Sequence, residues 1–214
     1  TIPTDVQDAE IDESHVPHYS SERSRPVGQV SAASSVITEA VEMLHRAERP
    51  MIVIGNGGYA VGSEDLQRLV EVTRVPLFTE ESSRGIVPDS HPLCFGLADG
   101  RANPVARLLS EADVILMLGK KVDFLVSFGG PPTFSSGVRL IQVEAMRAHI
   151  GVSRDIEVPV LGDVGVVVRQ LADEAEGRNW IQHPMLGELE SAQGVLKREL
   201  EAKATSTGRS HAMS

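Results

Sequence analysis

Residues 51–58 read Met-Ile-Val-Ile-Gly-Asn-Gly-Gly, and this stretch constrains the fold more than any other. Four consecutive apolar residues are too few for a helix. Bounded by Pro50 and Gly55, they spell a strand buried on both faces, as in a parallel sheet. Gly55, Gly57 and Gly58 allow a sharp turn and a close approach of backbone to something bulky and polar. Strand, glycine turn and helix, in that order, is the arrangement that binds phosphate-bearing nucleotides.

The alternation continues along the chain. Residues 34–46 place Ile37, Ala40, Val41 and Leu44 on one helical face, with Ser34 or Ser35 as cap and Pro50 forbidding continuation. Ser63 is expected to cap a second helix, with Glu64 and Asp65 complementing its dipole and Leu66, Leu69 and Val70 facing inward. Further buried strands are expected at 75–78, 114–118, 140–143 and 158–161. Asn103-Pro104 opens a helix, and Asp163 caps another with a Val164, Val167, Val168 and Leu171 stripe, ended by Gly177. Residues 79–102 read as loop, 185–200 as weakly helical and 201–214 as an irregular polar tail. Residues 8–32 lack periodicity and read as an extended linker, in which His15 and His18 are solvated rather than a metal pair. The pattern predicts an α/β fold: three layers, an about six-stranded parallel sheet with helices on both faces, Rossmann-like as in FAD/NAD-binding domains.

Composition narrows the partners. A net charge of −10 with no basic run argues against nucleic acid and anionic membrane surfaces. No apolar run approaches the ~18 residues of a membrane span. One cysteine, Cys94, excludes an internal disulfide; a reducing, cytoplasmic setting is expected, with Cys94 a packing residue. The opening Thr1-Ile-Pro-Thr-Asp-Val-Gln looks like a strand end and linker, as expected of a domain cut from a longer protein.

In an open parallel sheet, ligands bind beyond the carboxyl ends of the strands. Those ends carry Gly55, Gly57 and Gly58; residues 79–81, including Glu80; Gly119, Lys120 and Lys121; Glu144 and Ala145; and Gly162 and Asp163. The set offers glycines for close approach, a positive pair for phosphates and acids for ribose hydroxyls. Each has a plainer role beside it: strand terminators at Gly119 and Gly162, a helix cap at Asp163, solvated charges at Lys120 and Lys121. Gly55-x-Gly57-x-x-Ala60 matches the dinucleotide fingerprint, with Glu80 at a tolerable distance for a ribose contact. This is the basis of one reading, a stand-alone NAD-binding oxidoreductase domain. Against it, Gly62 and Ser63 delay the helix start by about five residues, so a pyrophosphate would not meet the helix end in the usual way. No metalloprotease, nucleophile-elbow or P-loop motif occurs, so no catalytic residue is assigned.

Five motifs in order carry a resemblance: Ala-Glu-Arg-Pro-Met-Ile-Val-Ile-Gly-Asn-Gly-Gly at 47–58, Arg-Gly-Ile-Val-Pro-Asp-Ser-His-Pro-Leu at 84–93, Ala-Asp-Val-Ile-Leu-Met-Leu-Gly at 112–119, Val-Arg-Leu-Ile-Gln-Val-Glu at 138–144 and Leu-Gly-Asp at 161–163. Together they resemble the central domain of thiamine-diphosphate-dependent enzymes of the acetolactate synthase type, over about residues 34–175. Phe-Gly-Gly-Pro-Pro-Thr-Phe at 128–134 looks more like the 2-hydroxyacyl-CoA lyase, oxalyl-CoA decarboxylase and benzaldehyde lyase branch. The resemblance implies a linker from a preceding domain at 1–33, the central domain at 34–178, and a C-terminal helix and linker at 179–214. It implies a homo-oligomeric parent whose flanking pyrimidine- and diphosphate-binding domains hold thiamine diphosphate and magnesium. In some relatives the central domain holds FAD or ADP, and here those contacts would fall on the strand-end residues above. Lys121 stands where the family has an arginine, losing the planar fork, and Glu144 where it has a ribose-binding aspartate. The Gly-Asp-Gly…Asn thiamine motif is missing, since Gly162-Asp163 is followed by Val164. The expectation is therefore a middle domain without the thiamine chemistry, inactive alone, from a lyase, carboligase or decarboxylase acting on 2-keto acids or 2-hydroxyacyl-CoA.

Overall fold

The computed structural model describes residues 3–20 and 29–211. Six strands form one parallel sheet in the order β3-β2-β1-β4-β5-β6. They are β1 (Pro50–Ile54), β2 (Leu77–Thr79), β3 (Cys94–Leu97), β4 (Val114–Leu118), β5 (Arg139–Glu144) and β6 (Val158–Leu161). The chain winds outward from β1 to β3, returns to β4 beside β1, then winds outward the other way. This is the doubly wound arrangement, with its topological switch point between β1 and β4.

Burial follows the position of each strand. Every residue of β1 and of β4 is buried, which is why both read as unbroken apolar runs. The edge strand β6 alternates, with Val158 and Val160 inward and Pro159 and Leu161 exposed. One covering layer consists of α2 (Ser34–Arg46), α3 (Ser63–Thr73) and α4 (Val164–Ala175), with α2 and α3 each packed on α4. The other consists of a 3-10 segment, Pro104–Glu111, and the start of α5 (Met185–His211), where Met185, Leu186 and Leu189 are buried.

Several local expectations change. The cap positions belong to Ala33 and Gly62, one residue before the expected serines, and neither helix has a side-chain cap; the Ser63 hydroxyl instead donates to the carbonyl of Ile86. Residues 94–97, read as loop, form the edge strand β3. The expected helix after Asn103 winds as 3-10 turns. Thr4–Gln7 is a single helical turn, α1, rather than a strand end, and α5 continues to His211 through the stretch read as irregular.

The segment before α2 is docked rather than free. Gln170 reads both backbone groups of Ala32, accepting from its N–H at 3.0 Å and donating to its carbonyl at 3.1 Å. The Asp163 amide donates to the Val30 carbonyl at 2.8 Å. A Cβ on Gly162 would lie 3.0 Å from that same oxygen, so this glycine makes room for the incoming chain.

Candidate nucleotide-binding edge

At the carboxyl ends of β1 and β4 the backbone turns close on each other. After Ile54 the chain makes a 3-10 turn, Asn56–Ala60, and α3 begins only at Ser63. The helix therefore does not open on the glycines, as the delayed cap predicts. The Gly55 amide donates to Leu118 at 3.0 Å, the Gly57 amide to Gly119 at 2.8 Å and the Gly58 amide to Gly55 at 2.9 Å. The Asn56 amide faces the Glu80 carboxylate. All four amides of the turn are thus committed to the protein's own oxygens, and none forms the open cradle that a pyrophosphate needs.

The glycines are needed for internal contact. Gly119 adopts φ +57°, and a Cβ there would lie 2.4 Å from the carbonyl carbon of Gly57. A Cβ on Gly58 would lie 2.4 Å from Ile54 Cγ1, and one on Gly55 would meet Glu80 Oε2 at 2.8 Å and Lys120 Cδ at 2.9 Å.

That last contact locates the positive group. Lys120 is 2% exposed. Its Nζ lies 2.8 Å from Glu80 Oε1 and 2.7 Å from both carboxylate oxygens of Asp123. Burial pushes the Glu80 carboxyl up, and the hydrogen bond and charge of Lys120 oppose that shift. Lys120, expected to meet phosphate, is instead an internal counter-ion, and Glu80, expected to meet a ribose, is its partner. These two residues and the amides above do not fit the dinucleotide fingerprint.

The neighbouring strand end is different. Glu144, the last residue of β5, is 5% exposed. Its Oε2 lies 3.6 Å from His149 Nδ1, and its Oε1 is buried without a hydrogen-bond partner. Burial pushes this carboxyl up, with the facing His149, Lys121 and Lys120 pulling it down. Gln142 shapes the loop that follows: its amide nitrogen donates to the carbonyls of Lys120 and His149, and its oxygen accepts from Gly151. Lys121 and Ala145 are exposed beside Glu144. Asp163 spends its carboxylate on the α4 cap, accepting from Gly165 and Val166.

Two clefts of ≈ 560 and ≈ 280 Å³ lie between the loops that follow β3 and β4 and share Ala98, Asp99 and Leu125. The smaller is lined by Asn56, Thr79, Glu80 and Ser82, the larger by Arg101, Arg107 and Phe124. So the structure brings Gly55, Gly57, Gly58, Gly119 and Lys120 together as a closed plug. Lys121 and Ala145 lie on an accessible rim beside the buried Glu144, and Gly162 and Asp163 serve the β6–α4 junction. Asp123, His149 and Gln142 escaped the sequence reading; only the Lys120–Asp123 spacing hinted at the first.

Fold and strand order define a doubly wound, Rossmann-like α/β domain. Residues 37–171 match the family model described as thiamine pyrophosphate enzyme, central domain, and the chain belongs to that family. It is 30% identical over 184 residues to human 2-hydroxyacyl-CoA lyase 1, covering 86% of this chain and 30% of the relative. It is 31% identical over 175 residues to the acetolactate synthase large subunit of Corynebacterium glutamicum, covering 80% and 27% respectively. Oxalyl-CoA decarboxylase of Escherichia coli K12 is 31% identical over 129 residues, 60% of this chain and 22% of the relative. A Mycobacterium smegmatis structure described as a thiamin diphosphate-dependent enzyme superposes with a TM-score of 0.61 at 20% identity, over 75% of this chain and 31% of that one. The chain thus spans under a third of the length of these relatives. Among the described residues no helix is long and apolar enough to cross a membrane.

Proposed function

We propose that this chain works as the middle domain of a thiamine-diphosphate-dependent lyase, carboligase or decarboxylase acting on 2-keto acids or 2-hydroxyacyl-CoA thioesters. Alone it is inactive, and it holds an adenine nucleotide, as ADP or the ADP half of FAD, at the end of β5. The observation that carries the nucleotide reading is Glu144. A carboxylate oxygen buried without a partner is costly, and a ribose hydroxyl donating to Oε1 would relieve that cost. Lys121 beside it supplies a positive charge for a phosphate, as a point charge rather than a fork. The names of the two acyl-CoA relatives support the thioester side of the substrate class.

Thiamine diphosphate, bound with magnesium by flanking domains, would supply the carbanion-stabilising chemistry. The residues here bind and orient. Glu144 accepts from the ribose, Lys121 offsets phosphate charge, and Gln142 holds the 147–151 loop, with His149 beside Glu144. Calorimetric titration of the chain with ADP, repeated on Glu144→Ala, tests the site. Binding weakened by about tenfold or more in the variant supports it; equal affinity, or none in the folded wild type, rejects it.

A further inference from the structure

We propose that Lys120 is a specificity-determining residue. Its buried ammonium, held between Glu80 and Asp123, closes the β1–β4 crevice and restricts this edge to a mononucleotide on the β5 side. The inference rests on the reading that Glu144 receives a nucleotide ribose.

A ligand crossing the switch point needs free amides, space and a positive counter-charge. The amides of Gly55, Gly57 and Gly58 are already bonded to Leu118, Gly119 and Gly55. The space is taken: the backbones of Gly57 and Gly119 touch, and the Lys120 stem lies against Gly55. The charge is spent, since one ammonium at 2.7–2.8 Å from two carboxylates leaves the plug net negative. A pyrophosphate approaching it meets repulsion where a nucleotide-binding turn would offer attraction. Glu144 stands at the end of β5 and is not among the residues that line the cleft of Asn56, Glu80, Ser82 and Leu125, whose lining includes the plug's own Glu80. A ligand seated on Glu144 therefore stops at the plug. Lys121, next in sequence but exposed, remains available to phosphate on the open side.

The test follows backbone amide resonances of the ¹⁵N-labelled 214-residue chain as ADP, FAD and NAD are added separately. ADP is expected to move the amides of Lys121, Glu144 and Ala145, while none of the three ligands moves Gly55, Gly57 or Gly58. Glycine shifts with FAD or NAD would overturn the inference and leave the ADP site standing. No response to ADP at residues 121, 144 and 145 would overturn the nucleotide reading, and the inference with it. A second arm compares wild type with Lys120→Ala/Glu80→Ala, which removes the buried ion pair from the plug without stranding Glu80. FAD affinity should rise by about tenfold with ADP affinity kept within about threefold; an unchanged FAD affinity in the folded variant would overturn the inference. Should that variant not fold, the wild-type spectra decide.

Discussion

The Gly57 amide donates to the Gly119 carbonyl oxygen at 2.8 Å, and the two residues touch so closely that neither can carry a side chain. Gly119→Ala combines a positive φ with a contact of 2.4 Å against backbone that cannot yield. A loss of about 3 kcal/mol or more is expected by chemical denaturation. Gly177 shares the positive φ but faces open space, so Gly177→Ala should cost only about 1 kcal/mol. Equal losses at both sites would show that conformation alone, not contact, constrains Gly119.

The Lys120 plug makes a second prediction. Lys120→Met strands Glu80, whose side chain is only 11% exposed, beside Asp123. Such a change typically costs about 3–5 kcal/mol. Adding Glu80→Gln should restore most of it, because a neutral pair carries no uncompensated charge. A double-mutant cycle with no coupling between the two sites would rule out the ion pair as the element that closes the crevice.

Asn103 serves two structures at once. Its oxygen accepts from the Val105 amide at 3.2 Å, while its nitrogen donates to the carbonyls of Phe95 at 2.7 Å and Leu97 at 2.8 Å. Asn103→Ala should cost about 2 kcal/mol. Asn103→Asp keeps the cap and loses the donor, so an intermediate loss is expected, with faster amide exchange in β3. Wild-type exchange rates there in Asn103→Asp would show that the edge does not depend on this side chain.

These residues show what a sequence exposes and what it hides. β1 and β4 are legible because both faces of a central parallel strand are covered, so nothing polar interrupts them. β3 is not, because Cys-Phe-Gly-Leu is short, contains Gly96 at φ +82°, and takes its extended form from pairing with β2 and from the Asn103 side chain, eight residues after Phe95. The glycines at 55–58 stand out in the sequence, but their reason does not. Composition cannot tell a turn opened toward a ligand from one closed on Gly119. Lys120 and Lys121 are likewise identical on the page, and only the turn at Gly119 sends one inward and leaves the other in solvent. Asp163 as a cap was legible because its partners are two and three residues away.

Glu144 gives a pH dependence. Its carboxyl is pushed up by burial, so the folded chain holds this proton more tightly than the unfolded chain does. The resulting penalty is absent below the ordinary glutamate value of 4.5 and grows as pH rises through that value toward the folded one. Glu144→Gln should therefore be more stable than wild type at pH 7, with the gap shrinking on acidification below about pH 4.5. Thermal melts of both proteins across pH 3.5–7.5 check the sign. The variant should also lose affinity for ADP, the expected cost of neutralising a group kept charged for binding.

Calorimetric titration of the isolated chain with thiamine diphosphate and magnesium, alongside ADP, tests most directly whether this is a middle domain that binds nucleotide but lacks the thiamine chemistry. ADP should bind through Glu144, and thiamine diphosphate should give no heat beyond dilution. Stoichiometric binding of thiamine diphosphate by the chain alone would contradict it.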